Sequence, residues 1–418
     1  MEKYDQLYHL YRTTDTETLR AYQEFVDLFP PLRSTVALDQ WDAVRAELDE
    51  RKAAIAEEFP TTGETYAELA ARLTREEAFT ALDLYSKYDR PVNVLVLDVD
   101  ETLRSAGDTD NEIPRSTLHL LTEFHERGVP IVVVTGQTLE NVKGFMIQGL
   151  GNEVVSSGDV SIVYETGNAV FTPGHGPDTK RLLYERLDPE IGSVFETVRG
   201  RVLSEAPDSI RRGCHLQGNE FNVTLKPNAE VGSEAAAAVI DAAVCHLCAL
   251  VGEAVVEAVD EPVDDPAALA RTYFASDPEL ARVFADAGAS TDAELGGAPE
   301  SVLAVFERID LGYYEADAVE LVSLELDKAT GVQEAFDVLG IEDPFGIVMG
   351  DSKSDLRVME WVAGADAGIA AAPEHASQAV LDHVRAHDDL VYEPGEASSI
   401  LHVVYGLNLL ADLDERRS

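Results

Sequence analysis

A nearly unbroken aliphatic run that ends in two carboxylates constrains this chain more than any other segment. Residues 92–103 read Val-Asn-Val-Leu-Val-Leu-Asp-Val-Asp-Glu-Thr-Leu, which predicts a strand buried on both faces, as in a parallel sheet. Ligands of open α/β sheets bind beyond the carboxyl ends of the strands, where Asp98 and Asp100 follow. Two acids there repel each other, and a cation or a shared proton would relieve the repulsion. The segment predicts a nucleophile and a general acid beside a metal; a loop with two solvated acids is the alternative.

The rest of the chain shows three kinds of pattern. Aliphatic strands alternate with helical segments in two separate stretches, which implies parallel strands joined by right-handed crossovers. The first 90 residues carry apolar side chains at helical spacing, and the region between the two α/β stretches contains half-exposed alternating segments such as 220–226. The predicted fold is an α/β, Rossmann-like parallel-sheet core (91–174 and 323–418) with an inserted α+β cap domain (175–322) and an N-terminal helical region (1–90).

The charge of the chain limits its partners. It has 32 Lys and Arg against 78 Asp and Glu, a formal net charge of -46 over 418 residues. This charge argues against nucleic-acid binding, because phosphate contacts need clustered Lys and Arg. Self-repulsion of this size is poorly screened at low salt. We therefore expect a halophilic protein of a high-salt cytoplasm.

Cysteine usage and hydropathy also favour the cytoplasm. Three cysteines, Cys214, Cys245 and Cys248, give no disulfide framework and suit a reducing interior. The N-terminus lacks a basic segment followed by an apolar core, so no signal peptide is expected. The most apolar stretch, 235–256, contains Asp241, His246 and Glu253 and is interpreted as a buried helix, with no membrane span. The CxxC spacing of Cys245 and Cys248 is interpreted as a pair of core thiols.

Four signals occur in a fixed order, each at a strand end or a helix start. They are Asp98-Val-Asp-Glu-Thr102, Val134-Thr-Gly136, Lys328 and Gly350-Asp-Ser-Lys-Ser-Asp355. Alone, a threonine after valines is usually structural, a lysine at a helix start is usually solvated, and GDxxxD is common in acidic chains. In this order on a βα scaffold they resemble the haloacid dehalogenase superfamily over about 92–395. The insert between the second and third signals is similar to the branch with a large α+β cap, which includes Cof-type sugar phosphatases, sucrose phosphatase and phosphomannomutase.

The resemblance gives the two acids of the opening segment different roles. Asp98 would attack the phosphoryl group and form an aspartyl-phosphate, splitting one difficult step into two. Asp100 would protonate the leaving oxygen and later activate water. Thr135 would donate a hydrogen bond to the phosphate, and Lys328 would supply positive charge to it.

The resemblance also implies a Mg²⁺ ion held by Asp98, the backbone carbonyl of Asp100, and Asp351. Asp355 would orient Lys328 or a metal-bound water. Two positions depart from the family pattern. Glu101 stands where many relatives have glycine, and Ser354 stands where relatives with a cap often have asparagine.

Arg211, Arg212 and Asn222 are the candidate substrate contacts in the insert. Arginine suits bidentate binding of phosphate or carboxylate, and surface arginines paired with neighbouring acids are the alternative. Together these observations predict a Mg²⁺-dependent phosphatase acting on a small phosphorylated metabolite, with a sugar phosphate as the favoured class. A phosphomutase of the same fold would need a second phosphate site, for which the two arginines are candidates. A non-catalytic regulatory protein on the same fold is the third possibility.

Overall fold

A computed structural model describes residues 2–29, 35–100, 102–103, 113–136, 139–164, 167–218 and 221–416. The chain divides into two compact units. The first comprises Met1–Glu165, Val170–Arg181 and Val332–Ser418, and the second comprises Thr166–Ala169 and Leu182–Gly331. The helical N-terminal residues thus share a unit with the sheet. The second unit overlaps much of the insert expected at 175–322 and extends to Gly331.

Twelve strands occur in the described residues. They are β1 (Val94–Asp98), β2 (Ile131–Thr135), β3 (Val160–Tyr164), β4 (Ala169–Phe171), β5 (Lys180–Leu182), β6 (Cys214–Gln217), β7 (Asn222–Pro227), β8 (Ile309–Tyr314), β9 (Ala318–Ser323), β10 (Gly346–Met349), β11 (Gly368–Pro373) and β12 (Leu390–Tyr392).

The described helices include five before residue 90, in the region that was expected to be helical. They are α1 (Glu2–Thr13), α2 (Thr16–Leu28), α3 (Thr35–Glu58), α4 (Gly63–Arg72), α5 (Arg75–Tyr88), α6 (Arg115–Glu126), α7 (Leu139–Leu150), α8 (Asn152–Val155), α9 (Pro189–Arg201), α10 (Asp208–Gly213), α11 (Ser233–Val259), α12 (Pro266–Phe274), α13 (Pro278–Asp286), α14 (Glu300–Phe306), α15 (Lys328–Leu339), α16 (Lys353–Gly364), α17 (Gln378–Ala386) and α18 (Ala397–Glu415).

The first unit is built on a sheet of eight described strands in the order β12-β11-β10-β1-β2-β3-β4-β5. Strands β1, β2, β3, β10, β11 and β12 pair in parallel, and β4 is antiparallel to β3. Every residue of β1 and β2 is buried, which explains their continuous aliphatic sequence. The predicted Rossmann-like α/β class is confirmed. The order reverses at β1, since the chain goes to β2 on one side and returns as β10 on the other.

The N-terminal helices pack against the last helix of the chain. Tyr85 of α5 donates a hydrogen bond of 2.8 Å to Asp414 of α18, and Lys3 forms an ion pair with the same carboxylate. The Asn408 side chain accepts from the Val92 amide at 2.8 Å and donates to the Val92 carbonyl at 2.9 Å. This amide therefore fixes α18 to the residues that lead into β1.

The second unit has its own sheet and core. Strands β6-β7-β9-β8 form an antiparallel sheet, and the side chains of Val223, Leu225 and Leu321 pack in one apolar cluster with α9 and α11. Within the described residues, one helix segment, Ala235–Val259, is long and apolar enough to cross a membrane, with a mean hydropathy of 2.0 over its best window. Its side chains form part of that cluster. The three cysteines are free.

Candidate active site

Three carboxylates converge at the carboxyl edge of the central sheet. Asp98 ends β1, Asp351 follows β10, and Asp355 lies in the first turn of α16. Strands β1 and β10 are parallel neighbours with Leu97 opposite Met349, so the residues after them leave the sheet side by side. One carboxylate oxygen from each of the three aspartates lies within 4.8 Å of the other two. The site is at the point where the strand order reverses, the usual ligand position in such sheets.

This arrangement favours a bound cation. Asp98 is 8% exposed and Asp355 is 3% exposed, and three negative charges so close in a poorly hydrated place repel one another strongly. The donor atoms are all oxygens, which suits Mg²⁺: it binds one or a few carboxylates and keeps water or phosphate oxygens as its other ligands. The residues present therefore fit the magnesium ion that the motifs imply.

Asp355 also fixes the loop that carries Asp351. Its Oδ2 accepts hydrogen bonds from the Asp351 amide at 3.2 Å, the Ser352 amide at 2.9 Å and the Ser352 hydroxyl at 2.6 Å. Ser354 lies 2.8 Å from Ser352, hydroxyl to hydroxyl, so the residue that departs from the family pattern joins the same network. Asp355 therefore holds the loop that carries Asp351 and also places a carboxylate oxygen near those of Asp98 and Asp351.

Gly350 leaves the space that Asp355 occupies. A Cβ added at Gly350 would lie 2.4 Å from the Asp355 side-chain carboxyl carbon, closer than real contacts allow. We expect Gly350→Ala to displace the Asp355 carboxylate and to weaken Mg²⁺ activation by about 10–100-fold, as for other partners that orient metal ligands. The measurement is the Mg²⁺ concentration that gives half-maximal phosphate release. Gly364→Ala, at the end of the helix that carries Asp355, is the control, because nothing lies within 4 Å of its added Cβ. Equal midpoints for both variants would contradict the expectation.

The other predicted site residues lie as follows. Asp100 is exposed, two residues beyond the end of β1. Thr135 is buried at the end of β2, next to β1, where Asp98 pairs with Val134. Lys328 is 2% exposed and begins α15 in the second unit. A lysine buried to this degree differs from the solvated lysine usual at a helix start. Glu101 lies outside the described residues.

Tyr392 belongs to this region and was not identified from the sequence. It is buried at the end of β12, and its hydroxyl donates to the Thr102 carbonyl at 3.4 Å. Burial raises its pKa, and the negative charges of Asp351, Asp98 and Asp355 raise that pKa further. The phenol therefore remains protonated beside the three carboxylates. A three-residue strand gives too short a pattern to predict, so the sequence contained no usable signal for it.

Two of the candidate substrate contacts in the second unit, Arg211 and Asn222, have partners of their own. Arg211 and Arg212 are exposed at the end of α10, and Arg211 forms an ion pair with Asp208. Asn222 is buried, and its carbonyl accepts a hydrogen bond of 3.3 Å from Arg199. The Thr224 hydroxyl lies 2.5 Å from Asn222 Oδ1 and 2.9 Å from Glu320 Oε1. Asn222 is thus part of a polar network on β7 and β9.

No protein-family model and no curated protein matches this chain. Solved structures similar to it include trehalose-6-phosphate phosphatase from Aspergillus fumigatus (11% identity, 79% of this chain and 97% of that chain, TM-score 0.42). A haloacid dehalogenase-like hydrolase from Bacteroides thetaiotaomicron has 16% identity over 75% of this chain and 98% of its own, with a TM-score of 0.41. Another such hydrolase, from B. subtilis, has 16% identity over 75% and 99%, with a TM-score of 0.39. At these values the similar structures do not assign an activity or a substrate to this chain.

Proposed function

We propose that this protein is a phosphatase that hydrolyses a small phosphorylated metabolite through a phosphorylated Asp98. The observation that supports this most directly is the convergence of Asp98, Asp351 and Asp355 at the carboxyl edge of the sheet. A protein that only scaffolds other proteins has no need of three mutually repelling carboxylates at this place, whereas phosphoryl transfer needs a carboxylate nucleophile beside a cation.

In the proposed reaction Asp98 is the nucleophile. One of its carboxylate oxygens attacks phosphorus, the ester oxygen of the substrate departs, and a new Asp98 oxygen–phosphorus bond forms. Asp100 gives its proton to the departing oxygen and afterwards takes a proton from the water that cleaves the aspartyl-phosphate. The exposure of Asp100 suits exchange of that proton with solvent. Thr135, buried at the end of the neighbouring strand, donates a hydrogen bond to the phosphoryl group.

Magnesium, when bound by Asp98, Asp351 and the Asp100 carbonyl, would reduce the repulsion between these carboxylates and the phosphoryl oxygens. Asp355 keeps Asp351 in place through the two loop amides. The role of Lys328 as a phosphate ligand remains a prediction from the order of the motifs.

Removal of divalent cations is the direct test of this proposal. We expect a generic aryl phosphate to be hydrolysed in Mg²⁺, hydrolysis to stop when EDTA is added in excess, and activity to return when Mg²⁺ exceeds the chelator. EDTA already saturated with Mg²⁺ is the control for other effects of the chelator. Hydrolysis that continues unchanged in excess EDTA would rule out the metal part of the proposal.

A sugar phosphate is the proposed substrate class. The experiment is a comparison of phosphate release from phosphorylated sugars, polyol phosphates and nucleotides in Mg²⁺ and high salt. The same panel with an added sugar bisphosphate separates hydrolysis from a mutase reaction, because a mutase would return an isomeric sugar phosphate and no free phosphate.

We also propose that the protein works in a high-salt cytoplasm. Support comes from the net charge of -46 and from three free cysteines, which suit a reducing compartment. Because salt screens the repulsion among surface acids, the unfolding temperature should rise by several degrees between about 0.1 M and about 2 M KCl. Thermal unfolding followed by circular dichroism measures this. An unfolding temperature that is equal or higher in dilute buffer would contradict it.

A further inference from the structure

A polar cavity lies within the first unit, among residues that take no part in the proposed reaction. Its volume is about 300 Å³, and it is bounded by side chains of α2, α4, α6 and α18 and by the start of α5. That volume is at the lower end of the range for small-molecule sites. The lining contains two arginines, Arg20 and Arg72, and two histidines, His119 and His402.

Two helix starts face the cavity without a capping side chain. Helix α6 begins after Pro114 and α18 begins after Glu396, and neither N-cap residue makes a side-chain capping hydrogen bond. Ser116 from the first turn of α6, and Ser398 and Ser399 from that of α18, line the cavity. First-turn amides carry partial positive charge and seek acceptors, so two such helix starts favour an anion.

Two of the four acids in the lining, Asp27 and Glu77, have partners within the protein. Asp27 lies 3.2 Å from Arg72 Nη1 and 3.4 Å from His119 Nε2. Glu77 accepts from the Thr74 amide at 2.7 Å and lies 3.6 Å from His402. The remaining two acids, Glu24 and Glu396, are exposed, where solvent screens their charge.

The Arg20 guanidinium has more N–H donors than it has acceptors among the described residues. Its Nη1 lies 3.3 Å from the Thr16 hydroxyl and 3.2 Å from the Leu73 carbonyl. The guanidinium carries five N–H groups, and within the described residues these two are its hydrogen-bond acceptors. Its other donors can serve an anion in the cavity.

Gln23 provides the second, independent indication of a ligand. Its side chain lines the cavity and is 7% exposed. The amide nitrogen donates to Asp27 at 2.7 Å, whereas Oε1 has no partner among the described residues. A buried acceptor without a donor is costly, and a hydroxyl group would satisfy it.

We propose that this cavity is a second binding site, for a small organic phosphate that carries a hydroxyl group. The phosphate would bind between the starts of α6 and α18 and Arg20, and the hydroxyl would donate to Gln23.

A divalent cation fits less well, although Asp27, His119 and Glu123 each bring a ligand atom within 4.8 Å of the others. The guanidinium of Arg72 contacts both carboxylates, 2.7 Å from Glu123 and 3.2 Å from Asp27. A cation there would meet this fixed positive charge, so the anion is the better occupant.

The test uses glycerol 3-phosphate as probe and hydrogen exchange as readout, on the full chain at constant KCl with excess EDTA. Slower amide exchange in residues 115–118 and 397–400 reports binding at this cavity, whereas phosphate release reports the reaction at Asp98. The two proposals can therefore fail separately. We expect the probe to protect both segments in the wild-type protein. Unchanged exchange in both segments at saturating probe overturns the site without any substitution.

Two variants and a control assign the contacts. Arg20→Gln should raise the half-saturating probe concentration about tenfold, since it removes a charge-assisted hydrogen bond. The control is Arg385→Gln, which makes the same charge change at an exposed position on α17. This control should leave the half-saturating probe concentration unaltered. Gln23→Leu should weaken glycerol 3-phosphate and leave inorganic phosphate unaffected. Equal probe affinity in Arg20→Gln and the control overturns the anion site, and equal effects of Gln23→Leu on both probes overturn the hydroxyl contact.

Discussion

Replacement of Asp98 by asparagine is expected to abolish phosphate release from an aryl phosphate, with a loss of about 10⁴-fold or more. The amide has the shape of the carboxylate but cannot act as the nucleophile. Asp98 is buried at the end of β1 beside two other acids, so the change also removes one of three repelling charges. The variant should therefore fold normally, and its unfolding temperature should equal or exceed that of the wild type.

Asp366→Asn is the matched control for this experiment. Asp366 is exposed and has a positive φ of 54°, a conformation that asparagine tolerates, so activity should be retained. Acid quenching of the wild-type reaction with labelled substrate should leave labelled phosphate on the peptide that contains Asp98. If Asp98→Asn retains a tenth of the wild-type rate, or if the label is found elsewhere, Asp98 is not the nucleophile.

Replacement of Arg72 by methionine is expected to lower the free energy of unfolding by about 3–5 kcal/mol. The side chain of Arg72 is 11% exposed and reaches Asp27 of α2 and Glu123 of α6. Methionine fills much of the same volume, but it removes the positive charge that stabilises the partly buried carboxylates of Asp27 and Glu123. Arg51→Met is the control, because Arg51 is 35% exposed and pairs with Glu47 within α3; its loss should cost about 0.5 kcal/mol. Denaturant titration measures both, and equal costs would contradict this account.

Asp27 and Glu123, the partners of Arg72, also contact His119. This contact should make the stability of the protein depend on pH in the alkaline range. The carboxylates of Asp27 and Glu123 raise the pKa of His119 from 6.5 to about 9. A raised pKa means that the folded state holds the proton more tightly. This stabilisation is complete below about pH 6.5 and is lost as pH rises through about 9. The loss should be about 2–3 kcal/mol and should be absent in His119→Gln, whose unfolding free energy should show no matching fall.

The proximity of the site carboxylates could be predicted from the sequence because it depends on local patterns. The aliphatic runs before Asp98 and Thr135 and before Asp351 specify buried parallel strands, and parallel strands present their carboxyl ends at one edge. Asp98 and Asp351 therefore had to approach each other once β1 and β10 paired. The loop-bracing contacts of Asp355 follow from its position three residues after Ser352, at a helix start.

The parts that could not be predicted depend on contacts distant in the sequence. Tyr392 lies near Asp98 only because β12 is the third strand from β1 in the sheet order. The cavity around Gln23 brings together helix starts that are separated by about 280 residues, at Ser116 and Ser399. Each serine alone is an ordinary polar residue at the beginning of a helix. The spacing of apolar residues along the sequence does not indicate which helix starts will be neighbours in the fold.

The position of β1 in the sheet has a consequence for the order in which this molecule can be assembled. Its partner β2 is synthesised soon after it, but β10, its other neighbour, begins only at Gly346. The continuous stretch Leu182–Gly331, with its own apolar core, leaves the ribosome in between. During that interval one edge of the strand that carries Asp98 is unpaired and able to pair wrongly with another chain. Completion of the sheet, and the attachment of Asn408 to Val92, must await the last fifth of the chain, so slow folding is expected.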